Sequence, residues 1–142
     1  GSCFWLSLPQ ASVLQRPPRS VLLDADDTQR EALAAMLRVW GYAVDGESSL
    51  DAACARTEDG RTTTDAVLCA IASEDDPAWK LLRIAAHRQP QALRILLCST
   101  PHPALLELAA RHDAKLLSRP PPPSKLRSLL LQRAPPALRG AA

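Results

Sequence analysis

The sequence predicts an α/β domain of the (βα)5 type, a doubly wound parallel sheet of five strands with helices on both faces. Short apolar runs recur along the chain between polar or Gly/Pro clusters, and segments with apolar residues at helical spacing separate them. The alternation repeats five times between residues 20 and 133, which calls for crossover connections and a parallel sheet.

Ser20 to Asp24 (SVLLD) reads as the first strand. Leu33, Met36, Leu37 and Trp40 then fall at i, i+3, i+4 and i+7, one face of a helix that Gly41 stops. Tyr42 to Val44 is a short second strand, and Ser48 with Asp51 three residues on forms a weak capping box for a helix carrying Leu50, Ala53 and Cys54. From Asp65 an apolar run ends at Ala70, short enough and apolar enough for a strand buried on both faces. Asp76 followed by Pro77 supplies a cap and then proline in the first turn, so a third helix opens there and closes at Pro90. Leu93 to Cys98 is the fourth strand, Pro103 to Arg111 the fourth helix, Ala114 to Ser118 the fifth strand and Pro121 to Gln132 the fifth helix.

Composition sets further bounds. A chain of 142 residues with a formal charge of +2 supports one domain with a single core plus tails. No apolar run approaches the roughly 20 residues of a membrane span, so this segment is expected to be soluble and to make no membrane contact. Cys3, Cys54, Cys69 and Cys98 have no CxxC or Cys/His ligand spacing, and are expected to be free thiols in a reducing compartment. Nearly all acidic residues lie between Asp24 and Asp76, while the C-terminal third is mostly basic. No aromatics interleave with those arginines, and nucleic acid is not an expected partner.

Open α/β sheets do their chemistry where strands end. Here the third strand ends at Ala70, whose side chain cannot accept a phosphoryl group, bind a metal or move a proton. The stretch DAVLCAIASEDDPAWKLLR resembles the third strand and following loop of response-regulator receiver domains, usually close to DLVLLDIRMPDMDGWELLR. Asp65, Val67, Leu68, Ile71, Asp75, Trp79, Leu81, Leu82 and Arg83 fall on like residues without a gap, and the family's phosphoacceptor aspartate falls on Ala70. REALAAMLRVWGYAV (Arg30 to Val44), RILLCST (Arg94 to Thr100) and LLSRP (Leu116 to Pro120) extend the likeness over all five units.

The resemblance implies a receiver fold of the flavodoxin-like kind and assigns positions. The two acids that hold Mg²⁺ in the family fall on Asp24 and Ala25, the switch Thr/Ser on Ser99, the invariant lysine on Arg119, and the proline after it, which follows a cis bond, on Pro120. Leu116 replaces the aromatic that swings inward on activation. With one strand-end carboxylate left, Mg²⁺ binding is expected to be weak or lost. Asp24, with Asp26 beside it, is the only metal candidate, and no cofactor or catalytic residue is implied. Asp24 is expected to be solvated or paired with Arg119, and Arg119 to fork onto Asp24 or the Glu74-Asp75-Asp76 loop. The Ser99 hydroxyl is expected to bond nearby backbone.

GSCFWLSLP (residues 1–9) resembles the last strand of a histidine-kinase ATP-binding domain, or is a cloning arm; 10–19 reads as a linker, 20–133 as the receiver-like domain and 134–142 as a C-terminal linker. That order matches bacterial hybrid sensor histidine kinases. It implies a cytoplasmic, non-phosphorylatable pseudo-receiver within a histidine kinase that is free or anchored in the inner membrane. Its partners would be the kinase or phosphotransfer modules of the same protein, or a second copy in a homodimer. The family's contact face places Glu107, Arg111, Lys125 and Arg127 on the fourth and fifth helices. Two other readings stay open: a competent phosphorelay receiver using Asp75, Asp76 or Asp26, and the receiver-like domain of a transcription regulator. A ligand-sensing role has no support beyond charge.

Overall fold

The computed structural model describes residues 17–59 and 62–133. The strands are β1 (Arg19–Leu23), β2 (Ala43–Glu47), β3 (Ala66–Ala70), β4 (Leu93–Cys98) and β5 (Ala114–Ser118), and the helices α1 (Asp27–Val39), α2 (Leu50–Glu58), α3 (Trp79–Arg88), α4 (Pro103–Arg111) and α5 (Pro123–Arg133). All strand pairs are parallel, in the order β2-β1-β3-β4-β5. The expected doubly wound five-stranded sheet is therefore observed.

Alternation along the strands divides the core into two layers, because successive side chains leave opposite faces. Val21, Val67, Cys69, Leu96 and Cys98 pack under α2, α3 and α4, with Leu81, Leu82 and Leu105 among their buried partners. Leu22, Leu68, Ile95 and Leu97 pack under α1 and α5, against Leu33, Leu37, Leu126 and Leu130. Cys54, Cys69 and Cys98 are free and buried, as expected. Burial pushes the Cys54 and Cys69 thiols up. None of the described helices is long and apolar enough to cross a membrane.

Several element ends differ from expectation. The first strand starts at Arg19, inside the stretch read as linker, because Arg19 pairs with Ala43 along the ladder and its guanidinium holds Asp45 at 2.8 Å. β2 runs on to Glu47, since an edge strand tolerates Asp45 and Glu47 when arginines cover them. Its helix is capped by Ser49, which accepts from the Ala52 N–H, and not by Ser48. α3 opens two residues late: both Asp76 oxygens are occupied by the N–H groups of Ala72 and Ala78, and this turn, followed by 3₁₀-type bonds, delays regular helix until Trp79. α5 opens at Pro123 because a residue that precedes proline is pushed out of the α region, which bars Pro121 and Pro122. The readings of residues 1–16 and 134–142, Cys3 among them, lie outside the described residues.

Candidate functional site

The strands' C-terminal ends converge on a pocket of ≈ 330 Å³. Asp24 and Ala25 enter it from the end of β1, Ala70 from the tip of β3, Ser99 and Thr100 from the end of β4, and Arg119 from the end of β5. Five of the six positions assigned by resemblance therefore share one cavity. The sixth, Pro120, follows Arg119 through a cis peptide bond, as that assignment anticipated.

A two-pronged ion pair dominates the pocket. Arg119 Nε donates to Asp24 Oδ2 at 3.2 Å, and Arg119 Nη2 donates to Asp24 Oδ1. Asp24 is only 2% exposed, and its Oδ1 also accepts the Asp26 N–H at 2.9 Å. A guanidinium is planar and presents paired donors, so it can satisfy both oxygens of one carboxylate. Of the two partners expected for Arg119, the structure selects Asp24. The acidic loop is engaged elsewhere, with Glu74 Oε1 2.9 Å from His102 Nε2.

Other expectations need correction. Ser99 lies on the pocket wall at a bend directly after β4, exposed, and its hydroxyl makes no hydrogen bond with the described residues, since water is open to it there. Of Asp75, Asp76 and Asp26, the acids of the alternative relay reading, only Asp76 lines the pocket, where its oxygens accept the Ala72 and Ala78 N–H groups. Asp26 does not line it, since its carboxylate caps α1 by accepting the Gln29 N–H at 3.0 Å. Cys98 and Thr100, and Ile71 and Ala72 after β3, complete the wall, and only their adjacency to Ser99 and Ala70 could have pointed to them.

The donor set does not fit the Mg²⁺ that the resemblance brings to this position. Mg²⁺ wants oxygen ligands in near-ideal octahedral geometry and keeps several waters. Both Asp24 oxygens face a cation, both Asp76 oxygens accept N–H groups, and Ala25 and Ala70 offer no side-chain oxygen. Among the described residues no group of three or more His, Cys, Asp and Glu side chains could hold a metal ion.

On the expected contact face, Glu107 and Arg111 pair with each other at 3.3 Å, one helical turn apart on α4. Lys125 is exposed. Arg127 leans toward α1, with its guanidinium carbon 5.6 Å from the Trp40 ring centroid.

No family model matches this sequence, and no curated protein matches it. Solved structures do. A response regulator receiver domain protein (CheY-like) from Methanospirillum hungatei JF-1 superposes with a TM-score of 0.71 at 18% identity, over 83% of this chain and 97% of that one. This chain has the receiver fold. The signal receiver domain of an HD domain-containing protein from Pseudomonas fluorescens Pf-5 is similar at 24% identity and TM-score 0.69, covering 83% of this chain and 94% of that receiver. A response regulator protein from Burkholderia pseudomallei, with a phosphorylated aspartic acid, calcium ion and citrate, gives TM-score 0.70 at 19% identity over 80% and 66% of the two chains. The receiver fold thus places the pocket at the C-terminal ends of the strands, and the side chains in it are this chain's own.

Proposed function

We propose that this domain is a non-phosphorylatable pseudo-receiver of two-component signalling, acting by protein–protein contact within a bacterial hybrid sensor histidine kinase. The observation that carries the reading is the forked Arg119–Asp24 pair, set in a pocket where the acceptor and second metal positions are Ala70 and Ala25. Phosphoryl transfer to a protein needs an in-line nucleophile and a cation that gathers phosphate oxygens. Ala70 supplies no nucleophile, the guanidinium occupies Asp24, and both Asp76 oxygens accept backbone N–H groups. The Burkholderia pseudomallei neighbour carries a phosphorylated aspartic acid and a calcium ion; here the equivalent chemistry lacks its acids.

With no phosphoryl group to bias it, the β5–α5 connection stays tied to β1 in one arrangement. The exposed parts of α4 and α5, including Glu107, Arg111 and Lys125, then present a constant surface to the kinase or phosphotransfer modules or to a second copy. The kinase parentage rests on the resemblance of residues 1–9 and on the order of segments.

Incubation with acetyl phosphate and Mg²⁺, read by intact mass and by amide NMR shifts, tests the reading. The expected result is unchanged mass and spectrum. A stoichiometric acid-labile phosphate would overturn it, and its loss in Asp76→Asn would identify Asp76 as a displaced acceptor. Deleting the domain from the parent kinase is expected to alter autophosphorylation, whereas an unchanged rate would refute a contact role.

A further inference from the structure

The described arginines are nearly all engaged. Arg19, Arg30, Arg56, Arg94, Arg111 and Arg119 hold carboxylates, Arg38 donates to the Val44 carbonyl, and Arg127 stacks on Trp40. Among described arginines with placed side chains, only Arg83 and Arg88 make no hydrogen bond, ion pair or ring contact. Both lie on α3. Together with Lys80 and His87, which are likewise exposed, they line an open groove of ≈ 440 Å³ beside α2, where Ile84 is half-buried and Glu58 stands on the opposite wall. Leaving Arg83 and Arg88 unpaired while eight other arginines find partners in the fold concentrates free positive charge on one helix face.

We propose that this groove docks an acidic amphipathic helix of a partner domain. Lys80, Arg83, His87 and Arg88 fall at i, i+3, i+7 and i+8, and the three cations among them extend over about 12 Å along the axis, the length over which a second helix presents three carboxylates on one face. Ile84 offers an apolar seat for a residue between those carboxylates. A second copy of this face is disfavoured as the occupant, because a two-fold contact would bring two faces of the same positive sign together. Polynucleotide fits less well: Glu58 repels phosphates, and no Phe, Tyr or Trp lines the groove for bases to stack on. The surface uses no residue of the pocket at the strand ends, so it stands independently of the pseudo-receiver reading.

The test is fluorescence anisotropy with a labelled synthetic helix bearing Glu on one face and Leu on the other, and with a single-stranded DNA oligonucleotide of equal charge. Saturable peptide binding at low salt is expected, weakening as salt rises through physiological strength. Arg83→Glu combined with Arg88→Glu is expected to lower peptide affinity by roughly tenfold or more, with an unchanged circular dichroism spectrum because both side chains are exposed. Absence of peptide binding at low salt, equal binding by the reversed variant, or tighter binding of the DNA than of the peptide would each overturn the proposal.

Discussion

Replacing Arg119 with methionine removes the cation from a carboxylate that the fold keeps buried. At 3.2 Å and an effective dielectric near 20, the attraction is about 5 kcal/mol before desolvation is charged against it. Arg119 itself keeps 25% of its side chain exposed, so water replaces part of what it supplied, while Asp24 retains only the Asp26 N–H. Breaking a buried pair from one side costs roughly 3–5 kcal/mol, and the exposure of Arg119 places this case near the lower end. The expected loss in urea unfolding is therefore about 2–4 kcal/mol, with a melting temperature lower by roughly 10–20 °C. Asp24→Asn in the same chain removes the stranded charge but keeps an oxygen for the Asp26 N–H, so the double variant should recover at least half the loss. An Arg119→Met variant within about 0.5 kcal/mol of the parent, or single and double variants that unfold alike, would show that the pair does not hold the fold.

Three further outcomes follow from other parts of the fold. Gly41 ends α1 at φ +97, where a side chain is strained although a Cβ there would meet nothing within 4 Å, so Gly41→Ala should cost about 1–2 kcal/mol in denaturant unfolding. His112 is held below its ordinary pKa, first by burial and then by the charges of Arg83 and Arg94; the unfolded chain then takes up the proton at higher pH than the fold, and stability declines as pH falls through about 6.5. His112→Phe, which keeps the stack on Trp79, should make that decline shallower, and an identical pH profile would refute the assignment. In a Cys3→Ser background, Cys54, Cys69 and Cys98 should resist a thiol reagent in the native state and all react in denaturant, whereas fast native labelling would contradict their burial.

The sheet was legible because β3 and β4 are apolar along nearly their whole length, a pattern that only burial on both faces explains. The helix stripe of Leu33 and Leu37 was equally plain, and both side chains are buried where periodicity put them. Helix starts were less so, since they turn on which donor reaches which carboxylate. Asp76 looks like a cap in the sequence and is one in the structure, but for a turn that precedes the helix. In the pocket, the vacancy at Ala70 could be read directly, and the choice of Asp24 by Arg119 could be narrowed to two partners. Ser99 was placed correctly in the pocket, but its hydroxyl was not: a strand-end hydroxyl has backbone acceptors within local reach, and here it is exposed and bonds none of the described ones. Arg94 gave no sign at all: an arginine inside an apolar strand, 6% exposed, reaches past the sheet's lower end to the His112 carbonyl and Asp113.

The forked contact between Arg119 and Asp24 also bears on how such a pocket can change over generations. A lysine at 119 would carry the same charge on a single point and leave one Asp24 oxygen unmatched. An aspartate at position 70 would enter a pocket already holding Asp24 and Asp76, with its only cation committed. Either exchange alone is therefore expected to weaken the fold, the first by unmatching a carboxylate oxygen and the second by crowding like charges. The pair thus ties the content of the pocket to the stability of the sheet: the surface around it can vary, while exchange of either partner alone leaves a charge unmatched.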